Sequence, residues 1–286
     1  DKENRIKAYN DIFNNYKKLI ISMVLIVLLS FYSLINVPYL YLPEGARINF
    51  GDYLIGELNM IQLIMFIAYP SIFSFLVLNI IRGDFEDNYI QLIFPRTTSR
   101  FIYLLNKFII IIFVALCFTM TVVLSKLVIS FVLKIPFENK CYNYIFHTMK
   151  YHNVYEVYFC NILLFFTGLV FIGMIALFLS LYIKNIGFSI GIIIFGGFVH
   201  NAMFIFGGKI IYLLPFTQYI LILHKECGSV LDKFSLQFSY AYMLISIVII
   251  FFMVLRILNK KEIGEFSIWW ILFFFSLSIA LLRRKT

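Results

Sequence analysis

The chain has 286 residues, of which 62% are hydrophobic and 14% charged, and its 24 lysines and arginines outnumber 15 aspartates and glutamates to give a net charge of +9. This composition excludes a soluble globular domain and a disordered chain, and it predicts a polytopic, all-α membrane protein. The length allows six or seven spans of about 20 residues each and no soluble domain of ordinary size. We expect the positive charge to orient the chain in a membrane rather than to bind nucleic acid.

Residues 1–18 precede the first long apolar run and are predicted to form an amphipathic helix. Apolar side chains recur there at three- and four-residue spacing, while lysines and arginines lie off that stripe. Such a helix would lie at the inner membrane surface with its apolar face in the interface. The alternative is a basic flank that only orients the first span. The apolar positions are Ile6, Tyr9, Ile12, Phe13 and Tyr16.

Six apolar segments are long enough to cross a membrane, and with their loops they make up a transmembrane domain over residues 19–286. A seventh, shorter segment, 267–282, either crosses the membrane or lies in the interface through Trp269 and Trp270. Most lysines and arginines fall on short inner segments if the N-terminus is cytoplasmic, which favours that orientation. The six predicted spans are 19–36, 60–81, 101–133, 158–182, 186–206 and 240–258.

The predicted spans contain few polar side chains, and these are candidates for function because burying them in lipid is costly. His200 and Asn201 lie deep in the fifth span, and Tyr69 and Ser74 lie in the second. His200 is expected to make a hydrogen bond between helices rather than to bind a ligand. If the chain is a transporter, these four residues are predicted to line its pathway through the membrane. Lys126 interrupts the third span, which we explain by an extension of that helix beyond the membrane at its outer end.

Proline and glycine mark two further features of the spans. Pro70 removes a backbone donor from the second span and is expected to kink it. Gly187 and Gly191 stand four residues apart in the fifth span, a spacing that lets helices approach closely. They form a candidate packing face, either inside the chain or in a dimer.

Between the fifth and sixth spans, residues 207–237 are too apolar for an ordinary surface loop, yet Pro215 and Gly228 interrupt them. Short re-entrant helices that dip into the outer leaflet and return would fit, provided that the protein buries their broken backbone. Cys141 and Cys227 both fall in predicted outer loops. They either form a disulfide there or remain two free thiols.

The sequence contains no recognised catalytic or nucleotide-binding motif. Its four histidines lack metal-type spacing with Cys, Asp or Glu, and no phosphate-binding GxxxxGK[ST] occurs. The span interiors contain no Asp or Glu, which disfavours transport driven by protons or sodium. We therefore expect the chain not to be an enzyme, to hold no cofactor of its own, and to take any energy from a partner.

A polar loop between the second and third spans is longer than a turn requires. It carries an acidic stretch, a run of aliphatics, a proline, a Ser–Arg pair and a lysine, in the order Asp84, Glu86, Asp87, Ile90, Leu92, Ile93, Pro95, Ser99, Arg100 and Lys107. In this order, in the six-span plan and in the broken apolar segment before the sixth span, the chain resembles the permease subunits of type-2 ABC exporters. The glycine usual ahead of the aliphatic run is missing.

The resemblance implies a separate ABC ATPase in two copies, which binds ATP and Mg and docks on a coupling loop, residues 82–100. It also implies a second permease, identical or homologous, and a multi-pass place in a bacterial cell membrane. The loop residues expected at the ATPase are Asp84, Glu86, Asp87, Tyr89, Ile90, Ile93, Phe94, Pro95, Arg96 and Arg100.

The scarcity of charge in the spans favours an amphipathic or hydrophobic substrate. An antimicrobial peptide or peptide toxin, for export or self-immunity, is the preferred version. A membrane anchor or assembly protein without transport activity is an alternative, with the loop as a docking site only. A membrane-embedded enzyme is a third, although the spans lack convergent His, Glu and Asp.

Overall fold

A computed structural model describes residues 2–35, 47–56, 61–86, 99–138, 141–142, 153–183, 185–206, 209–227 and 234–259. Every regular element in these residues is helical, and none is a strand. The α-helices are α1 (Lys2–Ile35), α2 (Phe50–Gly56), α3 (Tyr69–Glu86), α4 (Arg100–Val132), α5 (Val154–Tyr182), α6 (Ile186–Phe206) and α7 (Leu236–Asn259).

Among the described residues, five helical segments are long and apolar enough to cross a membrane. This confirms the prediction of an all-α membrane protein. The five segments are Lys17–Ile35, Arg100–Val132, Val154–Tyr182, Ile186–Met203 and Leu236–Asn259.

The predicted second span is divided between two kinds of helix. A π-helix, Ile61–Ala68, passes directly into α3. The apolar stretch of this element, Leu63–Leu78, is shorter than the other five. Five long helices and one interrupted element therefore stand where the sequence predicts six spans.

α1 joins two segments that the sequence predicts as separate. One helix runs from Lys2 to Ile35 with no end at residue 18. Neither glycine nor proline interrupts the sequence there, so no residue forces the helix to stop. The predicted interface helix and first span are therefore continuous, and the position of residues 1–18 at a membrane surface stays a prediction.

α5 forms the centre of the bundle. In its most apolar stretch 67% of the residues are buried, against 22% in α1 and α6, so α5 is surrounded by protein while α1 and α6 leave broad faces for lipid. Its neighbours are α3, α4 and α7. Asn153 begins the helix, because its side-chain oxygen accepts a hydrogen bond from the backbone N–H of Tyr155.

The helix ends lie on two sides of the bundle. α4 begins and α7 ends on one side, which we name the Arg100 side. α2 lies on the other side, where Tyr53 packs with Tyr158 near the start of α5. We name that side the α2 side, and residues 209–227, which lead to α7 there, the 209–227 segment.

Candidate functional site

The 209–227 segment is a series of short 3-10 turns that packs into the bundle, with Tyr219 fully buried. The side chains of Thr217 and Gln218 donate hydrogen bonds to carbonyls of the segment itself. The irregular backbone is thus satisfied from within the protein, which is the condition for such a segment to enter an apolar environment. The turns are Lys209–Leu213, Pro215–Thr217, Leu221–Leu223 and Lys225–Cys227.

Pro70 stands at the second position of α3, directly after the π-helix. Proline has no backbone N–H to donate to the helical turn before it. The hydroxyl of Tyr219 donates to the carbonyl of Met65 in that turn. The kink predicted at Pro70 thus coincides with a change of helix type, and the 209–227 segment supplies a hydrogen bond to the turn before the proline.

Two glycines allow the close contacts around this junction. A Cβ atom on Gly168 of α5 would lie 2.3 Å from Cβ of Tyr219, and one on Gly197 of α6 would lie 2.3 Å from the carbonyl oxygen of Phe66. Any side chain at either position would push the neighbouring element away. The sequence pattern points to none of these contacts, and the one signal for Tyr219 is that Pro70 lacks the N–H that would donate to the preceding turn.

A row of aromatic rings connects two of the predicted pathway residues. Tyr69 packs on Phe165 with ring centroids 5.3 Å apart, and Phe165 is followed by Tyr219 at 6.2 Å. Phe216 comes next at 6.3 Å, and His200 stacks on Phe216 at 4.5 Å. The structure thus places Tyr69 and His200 at the two ends of one packed row that passes through the 209–227 segment.

Several buried polar atoms near this row have unused hydrogen-bonding capacity. Ser74 Oγ, Asn161 Oδ1, His200 Nε2 and Asn201 Oδ1 have no partner among the described residues. Each such atom costs about 1–3 kcal/mol. Asn161 and Tyr69 line a cavity of about 10 Å³, room for about one water molecule. Three of the four predicted pathway residues are therefore incompletely satisfied, and Asn161 joins them.

Lys126 is fully buried by neighbouring protein elements, and its expected place on an extension of the helix beyond the membrane stays a prediction. Its ammonium nitrogen lies 5.2 Å and 5.3 Å from the ring centroids of Tyr53 and Tyr158, and 3.5 Å from the carbonyl oxygen of Leu54. Leu54 is near the end of α2, where the helix dipole is negative, and aromatic faces also attract a cation. Lys126 therefore holds α2 against α4 and α5.

The predicted coupling loop is described only at its two ends. α3 includes Asp84 and Glu86 as backbone, and their side chains lie outside the described residues. Arg100 donates through Nη1 to the carbonyl oxygen of Leu258, one residue before the end of α7. A cation is favourable at that end of a helix. Also outside the described residues are the segment 267–282 and Asp87, Tyr89, Ile90, Ile93, Phe94, Pro95 and Arg96.

Gly187 and Gly191 meet few neighbours within the part of the chain that the structure describes. Among those residues a Cβ atom on Gly191 would meet nothing within 4 Å, and one on Gly187 would meet the side chain of Asn185 at 3.2 Å. The described close approach of α6 occurs at Gly197, against Phe66. The packing face at Gly187 and Gly191, inside the chain or in a dimer, stays a prediction.

His224, Ser239 and Gln218 connect the 209–227 segment to the start of α7. His224 Nδ1 lies 3.0 Å and 3.2 Å from the carbonyls four and three residues before it, so this nitrogen carries the proton. The Ser239 hydroxyl lies 2.7 Å from His224 Nε2 and 2.9 Å from Gln218 Oε1, one proton for two acceptors. Burial lowers the pKa of His224 to about 4, although those backbone bonds and Glu226 act to raise it. At neutral pH the ring is therefore uncharged.

The predicted cysteine pair is described on one side only. Cys141 is buried, and the side chain of Cys227 lies outside the described residues, so the disulfide stays a prediction. In the part of the chain that the structure describes, no group of three or more His, Cys, Asp or Glu side chains could hold a metal ion.

Five membrane-length helices, an interrupted helical element from Ile61 to Glu86 and an irregular segment packed against it define a polytopic helical membrane protein. Within that class, the chain belongs to the family described as "Protein of unknown function (DUF2705)", whose profile matches residues 14–264. No curated protein and no solved structure matches the chain.

Proposed function

We propose that the chain is the membrane-spanning permease subunit of an ATP-driven ABC exporter. A separate ATPase in two copies binds ATP and Mg and docks on the coupling loop, residues 82–100. A second permease, identical or homologous, completes the pathway. The substrate is an amphipathic or hydrophobic peptide, such as an antimicrobial peptide or toxin, which is exported or removed for self-immunity. The Arg100 side faces the cytoplasm of a bacterial cell.

The observation that carries the proposal is the set of buried polar atoms without partners. Ser74, Asn161, His200 and Asn201 would destabilise an interior that is closed at all times. A second arrangement of the helices, in which water or substrate reaches these atoms, removes that cost. The rings of the neighbouring aromatic row suit apolar side chains, and the neutral polar atoms suit peptide amide groups.

The junction at Pro70 supports a closure on the α2 side that can open. Helix irregularities such as π-segments occur frequently at functional sites. Here the hydroxyl of Tyr219 in the 209–227 segment donates to the carbonyl of Met65, and its ring packs on Phe165 of α5. In the proposed cycle this segment moves away from Met65 when the substrate leaves.

Co-purification tests the assembly. The tagged full chain is co-expressed with candidate ABC ATPase subunits from the same genome, and retention of an ATPase is measured on membranes solubilised in mild detergent. We expect the wild type to retain it, and charge reversal at Glu86 and Asp87, or Phe94→Asp, to release it without loss of membrane insertion. Glu156→Lys, on the exposed start of α5 on the α2 side, is the matched control and should retain it. Failure of the wild type to retain the ATPase would refute the proposal.

A membrane anchor without transport activity is the alternative, and ATP hydrolysis separates the two. In reconstituted vesicles an amphipathic peptide should stimulate the ATPase of a transporter and leave that of an anchored complex unchanged. His200→Trp should abolish the stimulation while leaving co-purification intact, because the added ring volume would fall on the packed row beside Phe216. If the peptide does not stimulate ATP hydrolysis by the wild-type complex, the result would favour a membrane anchor without transport activity.

A further inference from the structure

The start of α4 is fastened to the end of α7 on the Arg100 side. Arg100 donates to the carbonyl of Leu258, a residue 158 positions away in the sequence. The ring of Phe251, two turns before the end of α7, contacts Phe101 at 5.7 Å and Phe108 at 6.1 Å. These contacts join the two helix ends, so that a displacement of one carries the other.

The opposite end of α7 is fastened to the 209–227 segment. The hydroxyl of Tyr242 donates to the carbonyl of Leu213 at 2.9 Å. The hydroxyl of Ser239, one turn earlier, lies within bonding distance of His224 and Gln218. Both side chains stand in the first two turns of α7, so the segment is held by the helix start.

Between these two attachments α7 is uninterrupted. Its 24 residues contain neither glycine nor proline, and at 1.5 Å per residue they extend about 36 Å. Its buried side chains recur every three or four residues, on the face that packs against α5. They are Ser239, Met243, Ile247, Ile250, Val254 and Leu258.

We propose that Arg100 and Ser239 are positioning residues that act through α7, so that the position of the start of α4 determines how the 209–227 segment is held on the α2 side. Such coupling requires an element that has two arrangements. The Ser239 hydroxyl is that element, because it can donate its proton to His224 or to Gln218. The purpose of this coupling rests on the proposed function. Because α4 begins where the coupling loop ends, a movement of the loop would be transmitted along α7 to the 209–227 segment.

Hydrogen exchange of the full chain in lipid nanodiscs, without any ATPase, tests the coupling. Arg100→Met should raise the exchange of amides in residues 211–227 by about five-fold or more, the low end of usual coupling between sites. Arg256→Met is the matched control, because it removes an exposed arginine from the last turn of the same helix. It should leave that exchange unchanged.

Linkage requires the reverse effect as well. Ser239→Ala should raise the exchange of amides in residues 103–108, and Ser246→Ala, on the same helix, should not. The proposal would be overturned if Arg100→Met and Arg256→Met changed the exchange of residues 211–227 equally. It would also be overturned if each substitution changed exchange only at the end of α7 that it alters. If Arg100→Met does not fold, the exchange of residues 103–108 in Ser239→Ala tests the coupling by itself. This experiment contains no ATPase, so its result is independent of the co-purification test. The coupling can be present in a chain that fails to bind an ATPase, and it can be absent from a chain that binds one.

Discussion

Removal of the Tyr219 hydroxyl tests the arrangement at Pro70. Tyr219→Phe keeps the ring and its packing against Gly168, but it leaves the carbonyl of Met65 without a donor. Tyr219 and Met65 are both buried, so bulk solvent does not reach this carbonyl. We expect the free energy of unfolding to fall by about 1–3 kcal/mol, the cost of an unpaired buried group, rather than by the ~1 kcal/mol net contribution of an ordinary hydrogen bond.

The proline makes this cost depend on a second position. Pro70→Ala restores a backbone N–H that can donate to a carbonyl in the preceding helical turn. In that background Tyr219→Phe should cost less than about 1 kcal/mol, since the carbonyls at the junction no longer depend on the tyrosine. The difference between the two costs is the coupling energy of a double-mutant cycle.

Unfolding of the purified protein by titration with SDS in mixed micelles, followed by circular dichroism, measures these changes. Tyr155→Phe, on the exposed start of α5, is the control and should change the free energy of unfolding by less than about 0.5 kcal/mol. A Tyr219→Phe cost that is the same with proline and with alanine at position 70 would refute the reasoning.

Gly197→Ala should lower the thermal midpoint strongly because its Cβ would lie 2.3 Å from a backbone oxygen, whereas Gly191→Ala, with nothing within 4 Å, should leave the midpoint unchanged or raise it. Equal midpoints for the two variants would contradict the close contact. The stability of the protein should fall as the pH falls from about 6.5 toward about 4, because burial holds the pKa of His224 near 4 while the unfolded chain takes up a proton in that window. In thermal melts from pH 4 to 7, His224→Gln should reduce that dependence, and an unchanged slope would contradict the assignment. Lys126→Met should expose α2 to added protease on the α2 side, since the lysine contacts Leu54, and Lys134→Met, on an exposed turn, should not.

The positions of the long apolar helices could be predicted from the sequence, because each of these follows from a long apolar run, whereas the short α2 was not predicted. The predicted fifth span, 186–206, has the same bounds as α6, and the predicted third span, 101–133, is shifted by one residue from α4. Lipid requires every backbone group to be satisfied within the segment that crosses, so an apolar run of this length forms a helix whatever its neighbours are.

The contacts between helices could not be predicted in the same way. Lys126 and Arg100 show the reason, because each has its place decided by a residue far away in the sequence, at the ends of α2 and α7. A charge within or beside an apolar run is compatible with several environments. Which one it adopts depends on what other element covers it.

The sequence alone determined that this chain is a bundle of membrane helices, because hydrophobic length and the need to satisfy the backbone act within each segment. Only the tertiary structure decided that Tyr219 bonds to the carbonyl of Met65 and that, among the described residues, Gly197 rather than Gly187 or Gly191 admits a close neighbour. These outcomes depend on distances of a few ångströms between elements that are distant in sequence. An apolar pattern specifies which faces avoid water, and in lipid it does not specify which of those faces meet.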